Sequence, residues 1–340
     1  MNKLNLGKWE SKRPIFATGK LPLVLGVSGG RTSAMMAALS DEKAILCFQN
    51  TGREHPNTYK FLDQLDKALG GRIVWLEFRK PSIKGDRPAN ARFERVTFET
   101  ADRTGKPFSD MMEMLAEYRA KEKGLPPVAP WARSRICTAY LKARISDAYM
   151  KKQGHASFET AVGLRADEPD RVHTLGSRET KARPYRAPLW EAGITKADVL
   201  EFWRKQDFDL DIQERQGNCT GCFLKDQSDL SRVLNEKETD APWWEAMQAK
   251  YDQFGGRDHA GYKRLREELP VRLVIEKALK AGQKPEIPAG YADARRFLLL
   301  VAQEKKRLKG QTSGISCNCE GSATMADFDD DQEEKYLLGG

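Results

Sequence analysis

Val24-Leu25-Gly26-Val27-Ser28-Gly29-Gly30-Arg31-Thr32-Ser33 reads as a buried strand, a glycine-rich turn and the start of a helix. The apolar run from Leu21 to Val27 has the length of a short strand covered on both faces. Adjacent glycines can take positive φ and let backbone N–H groups converge on an anion. A helix starting there adds partial positive charge. Ser28, Thr32 and Ser33 supply hydroxyl donors, and Arg31 a bidentate cation. The plain alternative is a tight strand-to-helix turn with no ligand. A Walker loop is excluded, since that motif needs Gly-Lys-Ser/Thr after a longer loop.

The flanking sequence repeats the strand–helix alternation. Ala44 to Phe48 is a second buried strand, followed by the turn Asn50-Thr51-Gly52. Pro56 suits a helix start, and Tyr59, Phe61, Leu62, Leu65 and Leu69 have amphipathic spacing up to the stop at Gly70-Gly71. Ile73 to Phe78 is a third strand and Phe158 to Leu164 a further one. Strands separated by such helices predict an α/β fold with a doubly wound parallel sheet. Pro81 to Pro130 is irregular and charged apart from a helical segment near Phe108 to Tyr118, and reads as an insertion over the substrate. A helix is expected after Cys137, another from Asp198 to Trp203, and an amphipathic one from Ala292 to Leu308. The expected division is 1–230 for a nucleotide-binding domain, 231–310 for a helical appendage and 311–340 for an acidic, cysteine-containing tail.

The formal charge is +8 over 340 residues. In the last twenty residues six acids oppose Lys335, so the first 320 carry +13. Such a body suits polyanions, nucleotide or nucleic acid, although a generally basic surface has the same composition. No run approaches the roughly 20 apolar residues of a membrane span, nor is there a signal peptide, so the expected location is the cytoplasm, without a membrane partner.

Ser28-Gly-Gly-Arg-Thr-Ser33 resembles the Ser-Gly-Gly-x-Asp-Ser signature of PP-loop ATP pyrophosphatases, with Thr32 in place of the aspartate. Phe48-Gln-Asn-Thr-Gly-Arg-Glu-His-Pro56 is similar to the segment after the second strand in phosphoadenosine-phosphosulfate (PAPS) reductase-like proteins. Gly163-Leu-Arg-Ala-Asp-Glu-Pro-Asp-Arg171 is similar to their Gly-x-Arg-x-x-Glu-x-x-Arg motif. The resemblance spans about Leu21 to Lys225. It implies an adenine nucleotide, ATP with Mg²⁺, its pyrophosphate on Ser28, Gly29, Gly30, Arg31, Thr32 and Ser33 and its nucleoside beside Asn50, Thr51 and Gly52. The missing carboxylate at Thr32 bears on how Mg²⁺ is engaged. Arg165 and Arg171 suit a phosphate or sulfate, with Glu168 orienting a guanidinium. Alanine at Gly30 is expected to weaken ATP binding.

Six cysteines in a reducing compartment point to metal or redox chemistry rather than disulfides. Cys47 sits in an apolar run and reads as core. Cys219-Thr-Gly-Cys222 is a C-x-x-C, Cys137 follows two arginines, and Cys317-Asn-Cys319 lies in the tail. Three readings stay open: an iron–sulfur cluster on Cys137, Cys219 and Cys222, with the tail as a further ligand source; a zinc site on Cys219, Cys222, Cys317 and Cys319; or plain thiols. The spacing resembles both [4Fe–4S] sulfonucleotide reductases and PP-loop thiolating enzymes. The expected activity is ATP-dependent adenylylation coupled to sulfur transfer onto a nucleic acid or small molecule, with a sulfur donor as partner. The alternatives are a sulfonucleotide reductase served by a thioredoxin-like reductant, and a nucleotide-binding accessory protein. His55 suits ribose contact or turn capping. Trp243-Trp244 suit core packing better than base stacking.

Overall fold

Three apolar runs, each too short for a helix, set the centre of the sheet. A computed structural model of the chain describes residues 4–16, 18–80, 92–124, 136–176, 184–212, 217, 219–251 and 261–309. It divides into two units, the first reaching Ile212 and the second containing the described residues from Gly217 to Lys309. The boundary expected after residue 230 thus falls earlier, and Cys219 and Cys222 belong with the helices.

Unit one is α/β. Its strands are β1 (Leu23–Gly26), β2 (Ile45–Asn50), β3 (Ile73–Arg79), β4 (Arg92–Val96), β5 (Glu159–Ala161) and β6 (Tyr185–Arg186). They form one sheet in the order β4-β3-β2-β1-β5-β6. All pairings are parallel except β3 with β4, which runs antiparallel from Trp75 opposite Val96 to Arg79 opposite Arg92. The sheet is therefore mixed rather than wholly parallel. β4 falls inside the stretch expected to be irregular, because Arg-Phe-Glu-Arg-Val lacks the apolar run of an inner strand. As an edge strand it needs only Val96, packed against the core, and Phe93, which meets Tyr149 edge-on at 5.7 Å.

Helix α1 (Arg31–Ala38) follows β1, α2 (Pro56–Ala68) follows β2, and α3 (Lys106–Tyr118) lies beyond β4. Leu23, Leu25, Met35, Met36, Leu46 and Phe61 are buried in one core with Trp203. Phe48 meets Trp75 edge-on and Phe61 meets Trp203 edge-on, each at 4.8 Å between centroids. Each such ring contributes about 1.5–3 kcal/mol by burial. Gly70 and Gly71 both have positive φ and end α2 as the sequence requires.

From β1 the chain steps outward through β2 and β3, then returns to place β5 and β6 on the other side of β1. The order therefore reverses between β1 and β5. In open α/β sheets the crevice beyond the carboxyl ends of strands at such a switch point is the favoured ligand position.

Unit two is helical among the described residues, built from Gln227–Val233, Ala241–Tyr251, Tyr262–Glu267, Leu269–Lys280 and Ala294–Leu308. Its interior holds an ionic network. Glu304, fully buried, accepts from Ser228 at 2.6 Å and pairs with Arg272 at 3.1 Å, Arg232 at 3.0 Å and Arg307 at 2.9 Å. Glu268 takes Arg296 through two bonds of 2.7 and 2.8 Å and Arg272 at 3.2 Å. Glu276 joins Arg232 at 2.7 Å and Arg307 at 2.8 Å. No helix of the described residues is long and apolar enough to cross a membrane.

Candidate functional site

Ser28, Gly29 and Gly30 lie beyond the carboxyl end of β1. Gly29 has φ +82°, and a Cβ there would stand 2.3 Å from the Thr58 methyl and 3.2 Å from Leu62. Gly29 is thus the obligatory glycine, whereas Gly30 has φ −88° and simply forms the N-cap of α1. The backbone geometry thus makes Gly29, rather than Gly30, the residue that requires glycine. Having no side chain, Gly30 leaves the first N–H groups of α1 without a cap from its own position. The loop is braced internally: Ser33 Oγ accepts from the Ser28 N–H at 3.1 Å, lies 3.2 Å from Ser28 Oγ and donates to the Gly30 carbonyl at 3.1 Å.

Arg31 is engaged elsewhere. Its Nε and Nη2 bind the two carboxylate oxygens of Asp209 at 2.6 and 2.8 Å, and Trp203 Nε1 donates to the Arg31 carbonyl at 2.7 Å. The bidentate fork expected to grip phosphate holds the protein's own carboxylate.

Arg165 reaches the loop instead. It lies 133 residues from Thr32 in sequence, and its Nη1 donates to Thr32 Oγ1 at 3.2 Å across the switch point. Arg165 is 8% exposed. Its Nε bonds Asp167 at 3.1 Å and its Nη1 pairs with Glu168 at 3.4 Å. Nη2 donates to none of the described residues. Glu168 also accepts from the Arg165 N–H at 3.1 Å and pairs closely with Arg171. Glu168 thus stands between the two guanidinium groups. Burial opposes ionisation of Asp167, but the Arg165 hydrogen bond and charge, with the Lys196 N–H, hold its carboxyl below the usual range.

Asn50, Thr51 and Gly52 shape the neighbouring loop. Asn50 is fully buried, donating to Glu77 and to the Asp102 carbonyl, both at 2.8 Å, and accepting from Gly52 N–H and Tyr59. Thr51 donates from Oγ1 to Glu54 at 2.8 Å. Gly52 has φ +78°, and a Cβ would meet Asp102 at 2.5 Å and the Gly105 backbone at 2.9 Å. The side-chain donors and acceptor of Asn50 are thus used internally, so the amide braces this loop. Tyr59 in the same cluster has its hydroxyl pushed well up by burial and by the Glu54 charge. His55 caps α2, its Nδ1 accepting from Asn57 N–H at 3.1 Å. Sequence reading overlooked Glu54, whose partners Thr51, Arg53 and Tyr59 are local, and Asp102, which meets Asn50 only between separate segments.

Among the cysteines, Cys47 is fully buried and its thiol is pushed up to about 12 by burial, which makes it inert. Cys137 belongs to unit one, in Ile136–Thr138, just before the wider π turn Ala139–Ala143. In unit two, Cys222 N–H donates to the Cys219 carbonyl at 3.2 Å, closing the C-x-x-C turn. Lys225, 5% exposed, clamps it by donating to the Gly217 and Cys219 carbonyls at 2.9 and 2.8 Å. Trp244 supports the turn: its Nε1 donates to Thr220 Oγ1 at 2.9 Å. A Cβ on Gly221 would lie 2.2–2.7 Å from the indole. Gly221→Ala is therefore expected to lower stability by about 2–3 kcal/mol, read as a fall in thermal midpoint of the whole chain. An unchanged midpoint would mean that Trp244 yields freely. Trp244 packs as core, as its sequence context favours.

Among the described residues of either unit, no three His, Cys, Asp or Glu side chains gather as a metal would require. Cys317 and Cys319 lie outside the described residues, as does the acidic tail. Within unit two the described cysteines supply two thiols, fewer than either cluster or zinc needs from protein.

No family model matches the chain, and no solved structure matches it. It is 31% identical over 331 residues to the uncharacterized nin region protein ORF290 of Escherichia phage lambda, covering 90% of this chain and 97% of that protein. The similarity runs through both units, and the chain belongs to the family of the phage lambda nin region protein ORF290.

Proposed function

We propose that unit one is a nucleotide-dependent enzyme of the PP-loop, PAPS-reductase-like type that activates an acceptor oxygen by adenylylation. The observation that carries this reading is the bond from Arg165 to Thr32. It joins the glycine turn after β1 to the loop after β5 that carries Arg165, at the position where open α/β sheets bind ligands. Backbone N–H groups of the turn and first turn of α1 receive the pyrophosphate. Arg165 and Arg171, fixed through Glu168, face the charge that develops as the acceptor oxygen attacks the α-phosphorus and pyrophosphate leaves. The residues act by positioning and electrostatics. A sulfur nucleophile then displaces AMP, giving the thiolated acceptor, a nucleic acid or small molecule.

An iron–sulfur centre or zinc on the cysteines belongs to the same proposal as an accessory. The two described thiols of unit two do not by themselves make such a site, so no step is routed through it.

Pyrophosphate release from ATP, measured with candidate acceptors and a sulfur donor, tests the reading. Arg165→Gln is expected to weaken ATP binding at least tenfold, since it removes the charge and the Nη2 donors. Cys219→Ser should leave ATP binding unchanged. Sulfite release from a sulfated nucleotide with thioredoxin, without ATP consumption, would replace adenylylation by the reductase reaction. Binding without turnover of either kind would favour an accessory protein.

A further inference from the structure

The loops at the carboxyl ends of β1, β2 and β5 contain three carboxylates among the described residues, namely Glu54, Asp167 and Glu168. None is disposed to hold a divalent cation. Glu54 accepts from Thr51 N–H and Oγ1, Arg53 N–H and Tyr59. Asp167 takes Arg165 Nε at 3.1 Å and Lys196 N–H at 3.0 Å. Glu168 is held between Arg165 and Arg171. The β1 turn itself has no acid, and its Thr32 hydroxyl already receives Arg165. Mg²⁺ requires near-octahedral oxygen ligation, usually with one or two protein carboxylates beside the phosphates. Here a cation approaching Asp167 or Glu168 would meet the guanidinium groups paired with them, so like charges oppose its entry.

We propose that unit one takes its nucleotide as the metal-free anion, with Arg165, tied to the glycine turn through Thr32, standing in for a carboxylate-held divalent cation. This rests on the nucleotide-site reading above and sharpens it. Mg²⁺ implied by the resemblance does not fit the donor set. Arg165 combines the required features: it is nine-tenths buried, its position is fixed by Asp167, Glu168 and Thr32, and its Nη2 is unengaged by the described residues. A planar guanidinium serves phosphate oxygens well in this role because it donates in parallel and stays charged at any working pH.

The experiment is titration calorimetry of the full chain with ATP, in EDTA and then with excess Mg²⁺, repeated for Thr32→Asp. For the wild type, affinity in EDTA is expected to equal or exceed that with Mg²⁺. Thr32→Asp brings a carboxylate to Arg165 beside the phosphate position. Its metal-free affinity should fall at least tenfold and be partly restored by Mg²⁺, with the thermal midpoint showing that the variant is folded. If Thr32→Asp does not fold, Arg165→Gln in EDTA replaces it, with a loss of at least tenfold expected. Wild-type binding at least tenfold tighter with Mg²⁺ would overturn the metal-free proposal and leave the nucleotide site standing. Absence of ATP binding under both conditions would overturn the site and, with it, the proposal.

Discussion

Gly29→Ala is expected to lower the stability of the chain by about 3 kcal/mol and to abolish the proposed ATP binding at accessible concentrations. Two effects combine. A side chain at φ +82° costs about 1–2 kcal/mol in the left-handed region. The new methyl also stands 2.3 Å from the Thr58 Cγ2, well inside contact distance, so α2 must move away from the turn. Because the proposed pyrophosphate contacts lie on this backbone, the movement would displace them as well. The double variant Gly29→Ala/Thr58→Ser removes the opposing methyl but not the φ strain, and should recover about 1–2 kcal/mol. Chemical denaturation of the four proteins in this cycle measures both parts. Full stability in Gly29→Ala alone would contradict the geometry. Gly30→Ala, at negative φ, should cost far less.

The second large effect is expected in unit two. Glu304→Ala leaves Arg232, Arg272 and Arg307 converging on a site without its central anion, Arg272 being fully buried. Removing one partner of a buried pair typically costs about 3–5 kcal/mol, and the same range is expected here. Acid should reproduce the effect. Burial alone would raise the Glu304 carboxyl, yet hydrogen bonds from Ser228, Arg307 and Arg232 hold it below its ordinary value. Glu276, opposed by burial but bonded by Lys280, Arg232 and Arg307, titrates at about 2 against an ordinary 4.5. Carboxyls depressed in the folded state bind fewer protons than in the unfolded chain. Their stabilisation is therefore complete above about pH 4.5 and is lost as pH falls towards 2. Helical circular dichroism across that window should fall earlier in Glu276→Gln than in wild type at the upper end, and respond less to further acid.

The inner strands were legible because β1, β2 and β3 are apolar runs ended by turn residues. Helix α2 was legible from its spacing and its double-glycine stop. β4 was not: Arg92, Glu94 and Arg95 are those of a solvated edge, and only pairing with β3 makes them a strand. At the site, the glycine turn and the motif from Gly163 to Arg171 could be found as separate candidates. Their junction could not, since Thr32 and Arg165 meet only when β5 pairs with β1. The pairing of Arg31 was hidden for a related reason. Its partner Asp209 lies 178 residues away in a loop with no local signal. The choice between Gly29 and Gly30 depends on φ, which two adjacent glycines leave undetermined.

The indole of Trp244, resting on Gly221 and bonded to Thr220, touches the turn between Cys219 and Cys222. Its emission is thus a built-in optical reporter of that turn, and Trp243, 4.8 Å away, shares the excitation. Loading a metal, oxidising the thiols or attaching sulfur to them would each change the field or quenching at the ring. The chain has seven tryptophans, so the state of the cysteines can be followed on the unlabelled protein as the part of the emission that Trp244→Phe removes, without knowing beforehand which chemistry they perform.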